Sequence, residues 1–126
     1  MINIPKVLRS FRFASQGIVD LFRYENNAKV HLLVTIVVIS VGFWLRFTVT
    51  EWAIILTQIG LVCAAEAVNT AIEKLCDVVS PGHNPTIGNI KDMVAGAVLI
   101  VSIVAVVVGV LIIGNKLILL FPFSRL

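Results

Sequence analysis

Charge is what this sequence has least of. Asp, Glu, Lys and Arg together make up 13% of the 126 residues against 59% apolar, and mean hydropathy is +1.03. A soluble domain of that length buries only roughly two thirds of its chain surface, too little to hide so much apolar area. Lipid is the solvent this composition requires. The net charge of +3 comes from scattered Lys and Arg without a basic run. That excludes a nucleic-acid groove as partner and suits anionic headgroups or nucleotide phosphates. Cysteine is nearly absent too. Cys63 and Cys76 fall on one predicted helix, too far apart along it to pair, and read as inert buried thiols. No G-x-x-x-x-G-K-[ST] loop and no soluble-kinase signature is present, which excludes a P-loop nucleotide site. The first twenty residues hold no continuous apolar core, so a secretory signal peptide is not expected.

Most of the acid there is gathers in one stretch, Glu66 to Asp92, EAVNTAIEKLCDVVSPGHNPTIGNIKD. Glu66, Asn69, Glu73 and Asp77 follow one another at spacings of three, four and four. On a helix of ~3.6 residues per turn they share one face, with Thr70 beside them. Immediately upstream, Trp52 to Ala65 carries no charge. A carboxylate row that begins where a lipid-soluble helix nears the membrane surface is costly to keep, and ionisable groups at such depth usually line a functional site.

The remainder reads as one all-α membrane domain over residues 1–126. Ile4, Val7, Leu8, Phe11, Ala14, Ile18, Leu21 and Phe22 follow the three-four repeat of an amphipathic helix over about 4–23, expected to lie on the bilayer surface. Pro5 suits its first turn. Spans are expected at about 29–47, at 52–79 including a polar extension, and at 90–114. Trp44 and Trp52 are expected in an interfacial aromatic belt. Ser80-Pro81-Gly82 stops the second span. Gly82 to Gly88 reads as a polar loop, and Asn89 as an N-cap that places Asp92 in a capping-box-like position. Ala95, Ser102, Ala105 and Gly109 give the third span small side chains for close helix contacts. The tail 115–126 is expected at the interface. Lys6, Arg9, Arg12, Arg23 and Lys29 precede the first span, whereas the first loop has only Arg46. The N-terminus and the carboxylate end are therefore expected in the cytoplasm.

The pattern E-x-x-N-T-A-I-E-x-x-x-D, a short loop, then K-D-x-x-A-G-A-V resembles the prokaryotic integral-membrane diacylglycerol kinases, whose Gram-positive branch contains the undecaprenol kinases. The resemblance covers nearly the whole chain, from about Lys6 to the end of the third span. It implies a homotrimer in the bacterial inner membrane, with active sites shared between subunits. It implies a metal role for Glu25, just ahead of the first span, and for Glu73. ATP contacts are implied at Lys6, Glu25, Glu73 and Asp77, in the loop at Gly82, His83 and Asn84, and at Lys91 and Asp92. Lipid contacts are implied at Lys6, Arg9, Glu66, Asn69 and Ala95. His31 stands where the Gram-negative enzymes carry an acid, and reads as structural.

The chemistry follows from the residue types. Mg²⁺ prefers a few carboxylates together with substrate phosphates, which Glu25, Glu73 and ATP would offer. A loose phosphoryl-transfer transition state needs positioning and charge neutralisation, which a Lys91 clamp would assist. Glu66, deeper toward lipid, would accept the proton of a lipid hydroxyl, undecaprenol or diacylglycerol, as catalytic base. The competing reading is a small ion- or proton-coupled transporter subunit. Such sites sit near the midplane on broken helices, whereas these acids gather at one end of an uninterrupted one.

Overall fold

The structure is a computed structural model and describes residues 1–121. Four helices follow in chain order: α1 (Ile4–Tyr24), α2 (Asn26–Trp44), α3 (Val49–Val79) and α4 (Pro85–Leu120). Three of them, α2, α3 and α4, are long and apolar enough to cross a membrane. At ~1.5 Å per residue, the 31 residues of α3 and 36 of α4 reach roughly 46 and 54 Å, well beyond a ~30 Å hydrocarbon core. Both therefore carry part of their length past the lipid. The apolar side chains of α4 are largely exposed, and none of its residues is buried. Water does not tolerate such a surface, so the chain is an integral membrane protein.

α1 starts as its sequence dictates. Pro5 occupies the first turn and the Asn3 side chain accepts a hydrogen bond from the Lys6 amide at 3.1 Å. Only Leu21 of α1 is buried. Glu25 is a single extended residue, φ −93° and ψ 121°, which ends α1 and starts α2. Its side chain makes no capping bond and is left for other work.

The apolar core lies at the turn between α2 and α3. Leu45, Phe47 and Ile55 are buried together, packed by Val38, Val41, Trp52, Ile59, Ile112 and Ile113. Arg46 adopts φ 56°, the left-handed region. The Phe47 amide bonds back to Gly42 O at 3.0 Å and the Arg46 amide to Phe43 O at 3.3 Å, the paired bonds of a Schellman ending. Gly42 is required there. A Cβ on it would lie 2.6 Å from Trp52 Cη2 and 2.9 Å from Phe47 Cδ2. Trp52 packs on Phe43 and Phe47 at ring-centroid distances of 4.9 and 5.3 Å. Trp44 does face outward. Thr48 and Glu51 close a capping box at the start of α3, with bonds of 3.2 and 2.8 Å. Lys116 from the far end of α4 reaches Glu51 at 3.0 Å and Arg46 O at 3.2 Å.

Two expectations about the second loop are corrected. α4 begins at Pro85, not near residue 90, because Asn84 is the N-cap and accepts from the amides of Thr86 and Ile87 at 3.0 and 3.3 Å. Pro85 at N1 costs no hydrogen bond and presets φ for the helix, which outcompetes a start at Asn89. Gly88, Asn89 and Asp92 thus lie inside α4. At the other end α4 runs through Leu120, so much of the tail expected at the interface is helix. Residues 122–126 of that tail lie outside the described residues.

Candidate active site

The polar face of α3 forms as the spacing predicts, and its burial is graded. Glu66, Asn69 and Thr70 are 3, 4 and 7% exposed, and they are the buried polar residues of the described chain. Glu73 is half-buried, and the Asp77 side chain is 67% exposed. One helix face therefore runs from a carboxylate sealed in the fold to one open to solvent. A buried ionised carboxylate needs a compensating donor. A basic group is brought near Glu66 by α2: His31 Nε2 lies 3.5 Å from Glu66 Oε2.

Further along the face, Asn69 Nδ2 donates to Glu73 Oε1 at 3.4 Å. The Asn69 carbonyl oxygen is buried with no partner. Glu25, held between α1 and α2, places Oε1 3.9 Å from the Lys74 ammonium, one residue from Glu73. At the solvent edge Lys91 donates to Asp77 and ties the first turns of α4 to the last turns of α3. Three expected ATP contacts, Glu73, Asp77 and Lys91, are thus at one end of the α3–α4 pair, with Glu25 beside them.

The metal expectation meets a sparse donor set. Among the described residues, no group of three His, Cys, Asp or Glu is close enough to hold an ion by itself. The oxygens that are present, the Glu25 and Glu73 carboxylates and the orphaned Asn69 carbonyl, are hard donors of the kind Mg²⁺ takes. They fit an ion completed by substrate phosphates rather than a dedicated protein cage.

Other expected residues are exposed. Gly82 and His83 are exposed in the short loop, and Asn84 uses its side-chain oxygen as a helix cap. Asp92 and Ala95 are exposed on α4. Lys6 and Arg9 are exposed near the start of α1, roughly 28 and 24 Å along its axis from Glu25 at ~1.5 Å per residue. Within one chain they do not reach Glu25. His31 is the residue sequence reasoning undervalued. Nothing in its neighbours along the chain announces a partner thirty-five positions away.

An apolar cleft of about 640 Å³ opens beside the site, between α2, α3 and α4. His31 stands at one end of it, and Gly114 and Leu117 at the other. Three lipid-soluble helices carrying one acidic face, buried at Glu66 and open at Asp77, define the class: an integral membrane protein with a polar face at one end of its bundle. Residues 12–113 match the family described as prokaryotic diacylglycerol kinase. The chain belongs to the prokaryotic diacylglycerol kinase family, a family of lipid kinases. It is 34% identical to the undecaprenol kinase of Bacillus subtilis (strain 168), over 91% of this chain and 94% of that one. It is 33% identical to a diacylglycerol kinase of Synechocystis, over 83% of this chain and 61% of that one. Against the diacylglycerol kinase of Haemophilus influenzae, identity is 25% over 85% of this chain and 92% of the other. No solved structure matches the chain.

Proposed function

We propose that this lipid kinase transfers the γ-phosphate of ATP to the hydroxyl of a membrane lipid alcohol, undecaprenol in preference to diacylglycerol. The observation that carries the reading is Glu66, a carboxylate 3% exposed at the lipid end of a face that ends in solvent at Asp77. Glu66 accepts the hydroxyl proton as the lipid oxygen bonds to the γ-phosphorus. The bridging P–O bond to the β-phosphate breaks, and ADP leaves toward the open end of the face. Glu73 lies two helical turns from Glu66, about 10 Å at ~1.5 Å per residue, so each glutamate can serve one substrate. Glu25 and Glu73 would hold Mg²⁺, which when bound neutralises phosphate charge during transfer. Lys91, released from Asp77, would steady the phosphates, and Gly82, His83 and Asn84 would meet the nucleotide chiefly through backbone.

Lys6 and Arg9 lie too far along α1 to reach Glu25 of their own chain. That supports a homotrimer in which α1 reaches a neighbour's site or the headgroups around it. The exposed apolar surface of α4 supports oligomer contacts as well. Scattered positive charge on the N-terminal side supports a bacterial inner-membrane protein with N-terminus and active site in the cytoplasm.

The preference for undecaprenol rests on the S-P-G-H-N-P loop and the E-N-N-A-K-V-H segment, and on similarity along almost the full length of an undecaprenol kinase. Transfer of labelled phosphate from ATP to a panel of lipid alcohols, with purified protein in matched micelles, tests it. A higher kcat/KM with diacylglycerol reverses the preference, and no labelled lipid at all rejects the function. Labelling of Asn84→Cys from the outer face of intact cells would overturn the topology.

A further inference from the structure

Glu66 has two carboxylate oxygens and must present one of them to a lipid hydroxyl. His31 Nε2 faces Oε2 at 3.5 Å, and it is the basic side chain that the described residues place within 4 Å of this carboxylate. The two differ in exposure: the Glu66 side chain is 4% exposed, the His31 side chain 22%. His31 also lines the apolar cleft with Val30 and Val34, so it stands where a lipid tail and a catalytic carboxylate would meet. Thr35, one turn on, returns its hydroxyl to His31 O at 2.7 Å, and α2 is regular through this turn. The imidazole is thus carried on a rigid element, which a positioning group needs.

We propose that His31 is a positioning residue for Glu66. A proton on Nε2, present in the cation and in one neutral tautomer, points to Oε2 and fixes the carboxylate plane. Oε1 is then left as the oxygen that takes the lipid proton. Without that contact the carboxylate would turn toward another partner and no longer present a fixed oxygen to the lipid hydroxyl. The inference rests on the proton-acceptor reading of Glu66.

The test uses the full chain in lipid-containing micelles, with MgATP and the lipid alcohol that turns over best. His31→Leu keeps bulk and removes the donor, whereas His31→Gln keeps an amide N–H near the position of Nε2. His31→Leu should lower kcat roughly 10-fold to 100-fold, with KM for MgATP within about twofold. His31→Gln should recover most of that loss, and imidazole added to His31→Ala should restore turnover that it does not add to wild type. In a Glu66→Gln background, His31→Leu should cost less than about twofold more, because the pair acts as a unit. Loss of kcat in Glu66→Gln with wild-type turnover in His31→Leu overturns the positioning role alone. Equal impairment of His31→Leu and His31→Gln, or a loss confined to KM for MgATP, overturns it too. Wild-type turnover in Glu66→Gln overturns the reading beneath it, whatever the His31 variants do.

Discussion

The two ends of the α2–α3 pair are built on opposite principles. At the turn end, polar groups are closed on one another. Glu51 meets the Thr48 amide at 2.8 Å and Lys116 at 3.0 Å, and Lys116 reaches Arg46 O at 3.2 Å. Among the described residues, the apolar cluster of buried side chains lies there, against Trp52 and Gly42. At the carboxylate end the contacts are long: 3.4 Å from Asn69 to Glu73, 3.5 Å from His31 to Glu66, 3.9 Å from Lys74 to Glu25. One buried oxygen there has no partner. Only Lys91 and Asp77, at the solvent edge, make a close pair. Satisfied groups hold a fold; loosely satisfied ones keep lone pairs for ligands. On the function proposed above, the molecule keeps its stability at one end of the bundle and its chemistry at the other.

That division makes the expected effects of substitution separable. The largest belongs to Glu66. Glu66→Gln should lower kcat by ~10²-fold or more while MgATP affinity stays near wild type, since an amide cannot accept the lipid proton. Turnover near wild type would make Glu66 a packing residue. Gly42→Ala comes next and acts at the other end. The added Cβ collides with Trp52 and Phe47, at a cost of about 1–3 kcal/mol read as a lower thermal midpoint. Turnover per folded molecule should change less than about twofold, because Glu66 and His31 lie several turns away. Abolished turnover with the fold intact would break the separation.

Glu73→Gln should weaken MgATP binding roughly tenfold, because a neutral amide is a poorer ligand for a hard cation. Lipid affinity should not follow it. If MgATP affinity is unchanged and lipid affinity falls, Glu73 belongs to the lipid side of the site. The smallest effect is expected from Lys116→Met, which removes the tie to Glu51 and Arg46 O. Thermal midpoint should fall by less than for Gly42→Ala, with kcat unmoved. A change in kcat without a change in midpoint would place Lys116 in the active site and sink the comparison.

Much of this architecture was written in local pattern. The surplus of apolar residues requires lipid, and the three-four spacing of Glu66, Asn69 and Glu73 puts them on one helix face in any environment. Ser80-Pro81-Gly82 ends α3 because proline disfavours a helix ahead of it. The start of α4 was also legible: Asn84 before Pro85 is a cap followed by a preferred first-turn residue, and it outranks the Asn89 start. Thr48-x-x-Glu51 likewise carries the capping-box pattern. Such features depend on neighbours within a turn, so the chain alone determined them.

Tertiary structure decided everything that needed two helices in register. Which of the acids is sealed and which is open depends on what α1 and α2 lay over α3, and no spacing along α3 reveals it. The same holds for Trp52 of α3, whose ring meets Phe43 and Phe47 across the turn between α2 and α3. It holds most of all for His31. Its spacing along α2 gave it a bland position at the start of a helix, and only the packing of α2 on α3 brought its imidazole to Glu66. Periodicity assigns a side chain to a face of its own helix, but its partner is chosen by the crossing of helices distant in sequence.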